Sequence, residues 1–330
     1  MARMGGTILR ITDLADLPAA LRGGVVAIGN FDGLHRGHQS VIERALQEAR
    51  QRKVPALVLT FEPHPRAYFR PGEPLFRLTP APLKAHILSI MGIDAVVELR
   101  FDQAFSQTGA DDFISRILHE GLGISHVVTG YDFHFGKGRQ GNPSFLREAG
   151  MRHGFGVTCV EAYDDEGGEV VSSSRIRALL AAGETAEAAG LLGYRFTVEA
   201  QIVHGAKLGR TLGFPTANMA LPDDTVLKHG IYAVRLRRPD GSLHDAVASF
   251  GRRPTVEENG TVLLETFLFD FAGDLYGETC TVSFFGYLRP ELKFDGLDPL
   301  VVQMKRDAEE AGALLSGVRP LGEIDLALGF

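Results

Sequence analysis

The sequence predicts two domains in series: a doubly wound α/β half, then an antiparallel sandwich or barrel that ends in an amphipathic helix. Three observations carry this reading. The chain has 330 residues, beyond the length at which one core keeps growing. Its first half alternates apolar runs with helical stripes, while its second half strings together short apolar runs divided by Gly, Pro and Asp. The composition is 45% apolar and 23% charged, which is that of an ordinary globular protein and excludes disorder, collagen and coiled coil.

In the first half, GVVAIGNF at 24–31 reads as a buried strand. Val41, Ile42, Ala45, Leu46 and Ala49 form one helix face, and ALVLTF at 56–61 is the next strand. DAVVELRF, the helical ADDFISRILHEG, HVVTGYDF, a helical segment around SFLREAG and GVTCVEAY continue the rhythm. Apolar runs separated by helices belong to a parallel sheet, whose ligands bind beyond the carboxyl ends of the strands. Past about residue 185 come RFTVEAQIVHG, GIYAVRLRRPDG, SLHDAVASFG, TVLLETFLFDF and CTVSFFGYL, then the amphipathic DPLVVQMKRDAEEAGALL. The alanine-rich AAGETAEAAG at 181–190 is the expected hinge, which divides the chain into domains 1–185 and 186–330.

Residues 1–185 carry 20 basic and 21 acidic side chains and the remainder 14 and 20, so neither half has the basic excess that binding a nucleic-acid backbone requires. Cys159 and Cys280 have no CxxC or metal-ligand spacing and are expected to be buried free thiols of a reducing compartment. No run of about 18 apolar residues and no signal-peptide core occurs. The expectation is a cytoplasmic protein with no membrane or nucleic-acid partner, its assembly into a homo-oligomer left open.

GNFDGLHRGHQSVIERAL at 29–46 runs from the first strand into the first helix. Gly29 and Gly37 allow a close backbone approach around Asn30 and Phe31, and a helix N-terminus offers free N–H groups to a phosphate. His35 and His38, three residues apart, can point the same way. Two imidazoles there suit stabilisation of charge as an α-phosphate is attacked and pyrophosphate leaves. A capping turn with surface histidines and a metal pair are the alternatives. VVSSSRIRALLAAGE at 170–184 starts a helix with hydroxyls followed by arginines, either a second phosphate cradle or simply an N-cap. TFEPHPRAYF at 60–69 and GYDFHFGKGRQGN at 130–142 each follow a strand and so stand at the ligand edge of the sheet.

In HGAKLGRTLGFPTANM at 204–219, Gly205, Lys207, Gly209 and Arg210 belong to a loop able to wrap phosphates, while Thr216 and Asn218 offer oxygens to Mg²⁺. An ordered Gly/Pro turn is the alternative, and the string does not match the GxxxxGK[ST] P-loop. TVLLETFLFDFAGDLYGE places Glu265 in an apolar strand, on one face with Leu263, Phe267, Phe269 and Phe271. That carboxylate is either at an exposed strand end or held for a purpose.

The first string resembles the GxFDGxHxGH signature of the HxGH nucleotidyltransferases, in the form typical of bacterial FAD synthetases. VVSSSRIR resembles the SSTRIR motif of the same family, with Ser174 where threonine is usual. By that match Ser173, Ser174 and Arg177 hold ATP phosphates. TFEPHPRAYF and GYDFHFGKGRQGN are similar to segments near the flavin and against the nucleotide, the latter through Asp132, with Asn142 where aspartate is common. The 204–219 string resembles the GxxxGRxLGFPTAN motif of riboflavin kinases. The segment from Glu265 resembles their ETxLxDFxxDLYG, in which the glutamate is the base. Desolvation by the phenylalanines is expected to raise its pKa toward a base's working range. The match continues through 286–311, and ASFGRRPT at 248–255 departs from ANIGxRPT at Ser249.

The resemblance to bifunctional riboflavin kinase/FMN adenylyltransferases covers nearly the whole chain. It implies a Rossmann-like nucleotidyltransferase followed by a six-stranded β-barrel kinase with a C-terminal helix. It further implies that riboflavin, FMN, FAD and ATP are bound, that Mg²⁺ is needed, and that His35, His38 and Glu265 are catalytic. An enzyme with one live site, a flavin carrier without turnover, and transfer to another nucleotide acceptor are the competing readings.

Overall fold

The computed structural model describes residues 8–205, 213–252 and 262–330. The chain divides into two compact units. One takes it up to Leu75 together with Thr79–Ser172, the other takes Phe76–Leu78 together with Ser173–Phe330.

The first unit is a six-stranded sheet in the order β1-β4-β3-β2-β5-β6, with every pairing parallel. The strands are β1 (Leu9–Ile11), β2 (Val25–Ile28), β3 (Ala56–Glu62), β4 (Ala95–Arg100), β5 (His126–Gly130) and β6 (Gly156–Val160). The helices are α1 (Arg36–Arg52), α2 (Pro65–Phe69), α3 (Ala81–Ile90), α4 (Gln103–Ser106), α5 (Ala110–Asp112), which continues as a π-helical stretch over Phe113–Gly121, and α6 (Pro143–His153). All four residues of β2 are buried, as a strand covered on both faces requires. Burying such side chains supplies about 1.5–3 kcal/mol apiece. The edge strand β1, three residues long, is too short to show a period in the sequence. In the sheet β2 pairs with β3 on one side and β5 on the other. The strand order therefore reverses at β2, and the crevice of an open α/β sheet opens above the carboxyl end of such a strand.

In the second unit α7 (Ser173–Ala182) and α8 (Thr185–Leu192) precede a closed barrel of antiparallel strands in the order β10-β11-β8-β7-β12-β9. These are β7 (Thr197–Val203), β8 (Thr216–Ala220), β9 (Gly230–Arg237), β10 (Leu243–Arg252), β11 (Val262–Leu268) and β12 (Thr279–Arg289). The choice between sandwich and barrel thus falls to the barrel, because β8 closes it. The sequence pattern puts TANMA within a loop. It is a strand whose Ala217 and Met219 face inward, supported by pairing with β11 and β7. The stretch expected as a hinge is the end of α7, a turn at Gly183 with φ +85°, and α8, whose Ala188, Ala189, Leu191 and Leu192 are buried.

Val262, Leu264, Thr266 and Leu268 point into the barrel, so Glu265 and its alternating neighbours form the outer face. The terminal helices are α9 (Leu297–Gly317) and α10 (Glu323–Gly329). Ala311 and Leu315 of α9 pack with Ala233 and Phe285 on the outside of the barrel. Arg289 of β12 clamps Asp307 of α9 through two hydrogen bonds of 2.7 and 2.6 Å. Cys159 and Cys280 are both free, but only Cys280 is buried, and burial pushes its thiol up to about 11. Among the described residues no helix is long and apolar enough to cross a membrane.

Candidate active sites

The loop from Gly29 to His38 lies at the carboxyl end of β2. Its path is tight: Phe31, Gly33 and Leu34 have φ of 49°, 88° and 38°, values that bulky L-residues adopt only where the surroundings enforce them. The enforcement is visible. Phe31 and Leu34 are buried, and a Cβ on Gly29 would stand 3.0 Å from the Phe31 ring. Thr79, also buried, accepts from Gly33 N–H at 2.8 Å through its hydroxyl and donates its own N–H to Asp32 Oδ1 at 3.1 Å. Lys84 of α3, 1% exposed, donates to the Asn30 carbonyl at 3.0 Å.

His35 is the N-cap of α1 in extended conformation, and its side chain does not cap the helix. Its ring lies flat on that of His38, with centroids 3.7 Å apart and planes inclined by 21°. A Cβ on Gly37 would come within 3.3 Å of the His35 ring, which is why a glycine suits that position. The Phe31 ring meets His38 edge-on at 5.4 Å. Burial holds the His38 imidazole well below the ordinary histidine range, and the neighbouring His35, Lys84 and His64 push the same way. His38 is therefore neutral near pH 7. Its Nδ1 is buried without a hydrogen-bond partner, which favours the tautomer with the proton on Nε2, because a bare acceptor is the cheaper group to leave unsatisfied.

Asp132, exposed in the turn after β5, stands at the same carboxyl edge of the sheet. Asn142 caps α6 by accepting from Phe145 N–H at 2.9 Å, a task an aspartate would also perform. Ser173, Ser174 and Arg177 belong to the second unit, at the start and on the first turns of α7, where Arg177 Nε donates to the Phe76 carbonyl at 2.7 Å.

On the barrel, register brings together what the sequence spreads over 48 residues. Asn218 of β8 lies opposite Glu265 of β11, Thr216 opposite Phe267, and Glu265 opposite Ser249 of β10 on its other side. Directly opposed residues share a face with Cβ atoms about 4.5–5.5 Å apart, so Asn218, Glu265 and Ser249 form one row on the outer surface. Asn218 is only 3% exposed. Its Nδ2 donates to the Thr216 carbonyl at 3.1 Å, and its Oδ1 is buried with no hydrogen-bond partner. The Gly205 backbone lies against this carboxamide, where a Cβ would stand 2.5 Å from Nδ2. An orphaned buried oxygen beside a threonine suits a hard cation such as Mg²⁺, which takes oxygen ligands. Glu265 is half-buried, not sealed among phenylalanines as expected, because its strand turns Leu264 and Thr266 inward and leaves Glu265 on the outer face. Lys207, Gly209 and Arg210 lie outside the described residues.

The sequence reading overlooked Thr79 and Lys84. Lys84 left a trace, a lysine among Leu83, Ala85, Ile87 and Leu88 on the buried side of α3, while Thr79 left none.

A Rossmann-like unit with a paired-histidine loop at its switch point, followed by a barrel with a carboxylate beside a buried oxygen donor, defines a two-domain transferase acting on nucleotides. Residues 17–175 match the FAD synthetase family model and residues 192–315 the riboflavin kinase model. A bifunctional riboflavin kinase/FMN adenylyltransferase of Pseudomonas fluorescens is 41% identical over 304 residues, spanning 92% of this chain and 97% of that protein. One of Haemophilus influenzae is 38% identical and spans 93% and 99%. The crystal structure of a macrolide-efflux protein from Streptococcus pneumoniae superposes with a TM-score of 0.80 at 30% identity, covering 93% of this chain and 99% of that one. The chain belongs to the bifunctional riboflavin kinase/FMN adenylyltransferase family. It phosphorylates riboflavin to FMN and adenylylates FMN to FAD, with ATP as co-substrate of both reactions.

Proposed function

We propose that the Gly29–His38 loop carries the adenylylation and that the row of Asn218, Glu265 and Ser249 carries the phosphorylation. The observation behind this assignment is that each half of the chain brings together one set of chemically complementary groups: stacked imidazoles at a helix start, and a carboxylate beside an orphaned oxygen. The working division lies between domains 1–185 and 186–330, inside the gap that the two family matches leave between 175 and 192.

In adenylylation an FMN phosphate oxygen attacks the α-phosphorus of ATP and pyrophosphate leaves. Gly29, Asn30, Phe31 and Gly37 shape the cradle, and the first N–H groups of α1 face the phosphates. His35 and His38 donate to charge developing on the transferring group, at no cost of reorganisation because stacking already holds them. Asp132 adds a nucleotide contact in the first unit; the resemblance of their motif assigns Ser173, Ser174 and Arg177 to ATP phosphates. In phosphorylation Glu265 accepts the proton of the riboflavin 5′-hydroxyl as its oxygen attacks the γ-phosphorus and ADP departs. Gly205, Lys207, Gly209 and Arg210 hold the phosphates. Thr216 and Asn218 would hold Mg²⁺, which neutralises phosphate charge when bound. Free thiols agree with the reducing cytoplasm as the place of action.

The test is a crossed pair. His38→Ala is expected to lower FAD formation from FMN by about 10²-fold or more and spare riboflavin phosphorylation. Glu265→Gln should lower FMN formation by roughly 10²- to 10⁴-fold and spare adenylylation of supplied FMN. Either substitution abolishing both reactions in a folded protein, or leaving its own reaction at the parental rate, refutes the assignment.

A further inference from the structure

The ammonium of Lys84 is almost completely buried, yet it reaches three groups on two other elements. These are the Asn30 carbonyl at 3.0 Å, the Thr60 hydroxyl at 3.2 Å and Glu62 Oε1 at 3.1 Å. Thr60 is itself buried and also donates to the Asn30 carbonyl at 3.2 Å. The Glu62 side chain is about a quarter exposed, so Lys84 is the buried partner of a half-covered pair. Burying a lysine in an apolar helix face is costly unless it is paired, and a structural tie between β3 and the loop after β2 could be made by an uncharged donor. A charge at this spot acts on its surroundings. Lys84 is one of the charged neighbours that act on His38, together with His35, on which His38 stacks, and His64 on the turn after β3.

We propose that Lys84 is a positioning residue of the adenylylation site: its buried ammonium fixes the Asn30 carbonyl at the head of the Gly29–His38 loop and places a positive charge near the paired imidazoles. The inference rests on the assignment of that loop to adenylylation. Two consequences follow. Loosening Asn30 misplaces the cradle, and a displacement near 1 Å is enough to cost about 10²-fold in rate. Removing the cation also removes repulsion on His38, whose protonation then becomes easier.

The experiment replaces Lys84 by Met, which keeps the length and loses the charge, in the full chain. Riboflavin phosphorylation, carried by the other unit, and circular dichroism report folding. FAD formation from FMN is expected to fall by about 10- to 100-fold, and the titration midpoint of His38, followed by NMR of histidine-labelled protein, to move to higher pH. A parental rate or an unmoved midpoint in folded Lys84→Met overturns the proposal. Should Lys84→Met not fold, Glu62→Gln decides: with its counter-charge gone, Lys84 should move the His38 midpoint to lower pH, and no movement refutes the idea. His38→Ala run in parallel separates the two levels, because FAD formation untouched by that change would refute the site assignment itself.

Discussion

Asn218 and Glu265 are direct cross-strand partners between β8 and β11, so an orphaned carboxamide oxygen and a carboxylate stand side by side on the outer wall of the barrel. Neither Gly205, pressed against the carboxamide, nor Thr216, whose carbonyl accepts from it, leaves Asn218 room to swing away. The donor oxygen is therefore presented in one place before any ligand arrives.

Asn218→Ala removes that oxygen without disturbing the strand pairing. Riboflavin phosphorylation should need a Mg²⁺ concentration raised by about tenfold or more, the scale of one lost ligand contact, while FAD formation from supplied FMN is unchanged. A Mg²⁺ titration of both reactions reads this directly, and superimposable kinase curves for variant and parent would show that the oxygen holds no cation.

Thr79→Val deletes the hydroxyl that accepts from Gly33 N–H and donates to the Phe31 carbonyl. Loss of a buried acceptor costs about 1–3 kcal/mol, here spent on the loop that carries His35 and His38. FAD formation should slow by roughly tenfold with riboflavin phosphorylation intact, as parallel steady-state assays would reveal.

Asp307 is 3% exposed and accepts two hydrogen bonds from the Arg289 guanidinium, whose third goes to the Pro290 carbonyl, as well as one from Gln303. Asp307→Asn leaves that guanidinium without its counter-charge, and breaking such a buried pair costs roughly 3–5 kcal/mol. Urea unfolding followed in the barrel unit should shift accordingly. A loss below about 1 kcal/mol would mean that α9 is held by its apolar face alone.

His126 receives a hydrogen bond from Arg52 at Nδ1 and lies 2.8 Å from Thr158 Oγ1 through Nε2. Burial and then Arg52 lower its pKa from 6.5; Arg44 adds to this and Glu48 opposes it. The native state thus resists a proton that the unfolded chain accepts below about pH 6.5, and stability falls as the pH drops through that value toward the lowered native pKa. At pH 8 both states are neutral and the group contributes nothing to the slope. In His126→Gln the fall in urea midpoint between pH 7.5 and about pH 5.5 should be smaller than in the parent. Equal falls would assign the effect to other groups.

Much of this protein was legible in its sequence because the signals are local. Apolar runs such as VVAI and ALVLTF announce strands wherever they end up, the helical stripe after residue 40 is periodic by itself, and the strings around His35, Asn218 and Glu265 are contiguous. Whatever depends on contacts between distant segments was not legible. The edge strand at Leu9–Ile11 and the strand at Thr216–Ala220 are too short to show a period and exist because a neighbour offers hydrogen bonds. The supposed hinge is helical because its alanines and leucines find a surface to cover. Glu265 sits on the outer face because barrel closure turned the alternate residues inward, and its pairing with Asn218 and Ser249 is a matter of register, which no single strand contains. Thr79 and Lys84 are the clearest cases. A threonine in a loop carries no local mark of function and a lysine on an apolar helix face marks only its burial; the tertiary fold, by bringing α3 and its approach against the end of β2, gives them the Gly29–His38 loop to hold.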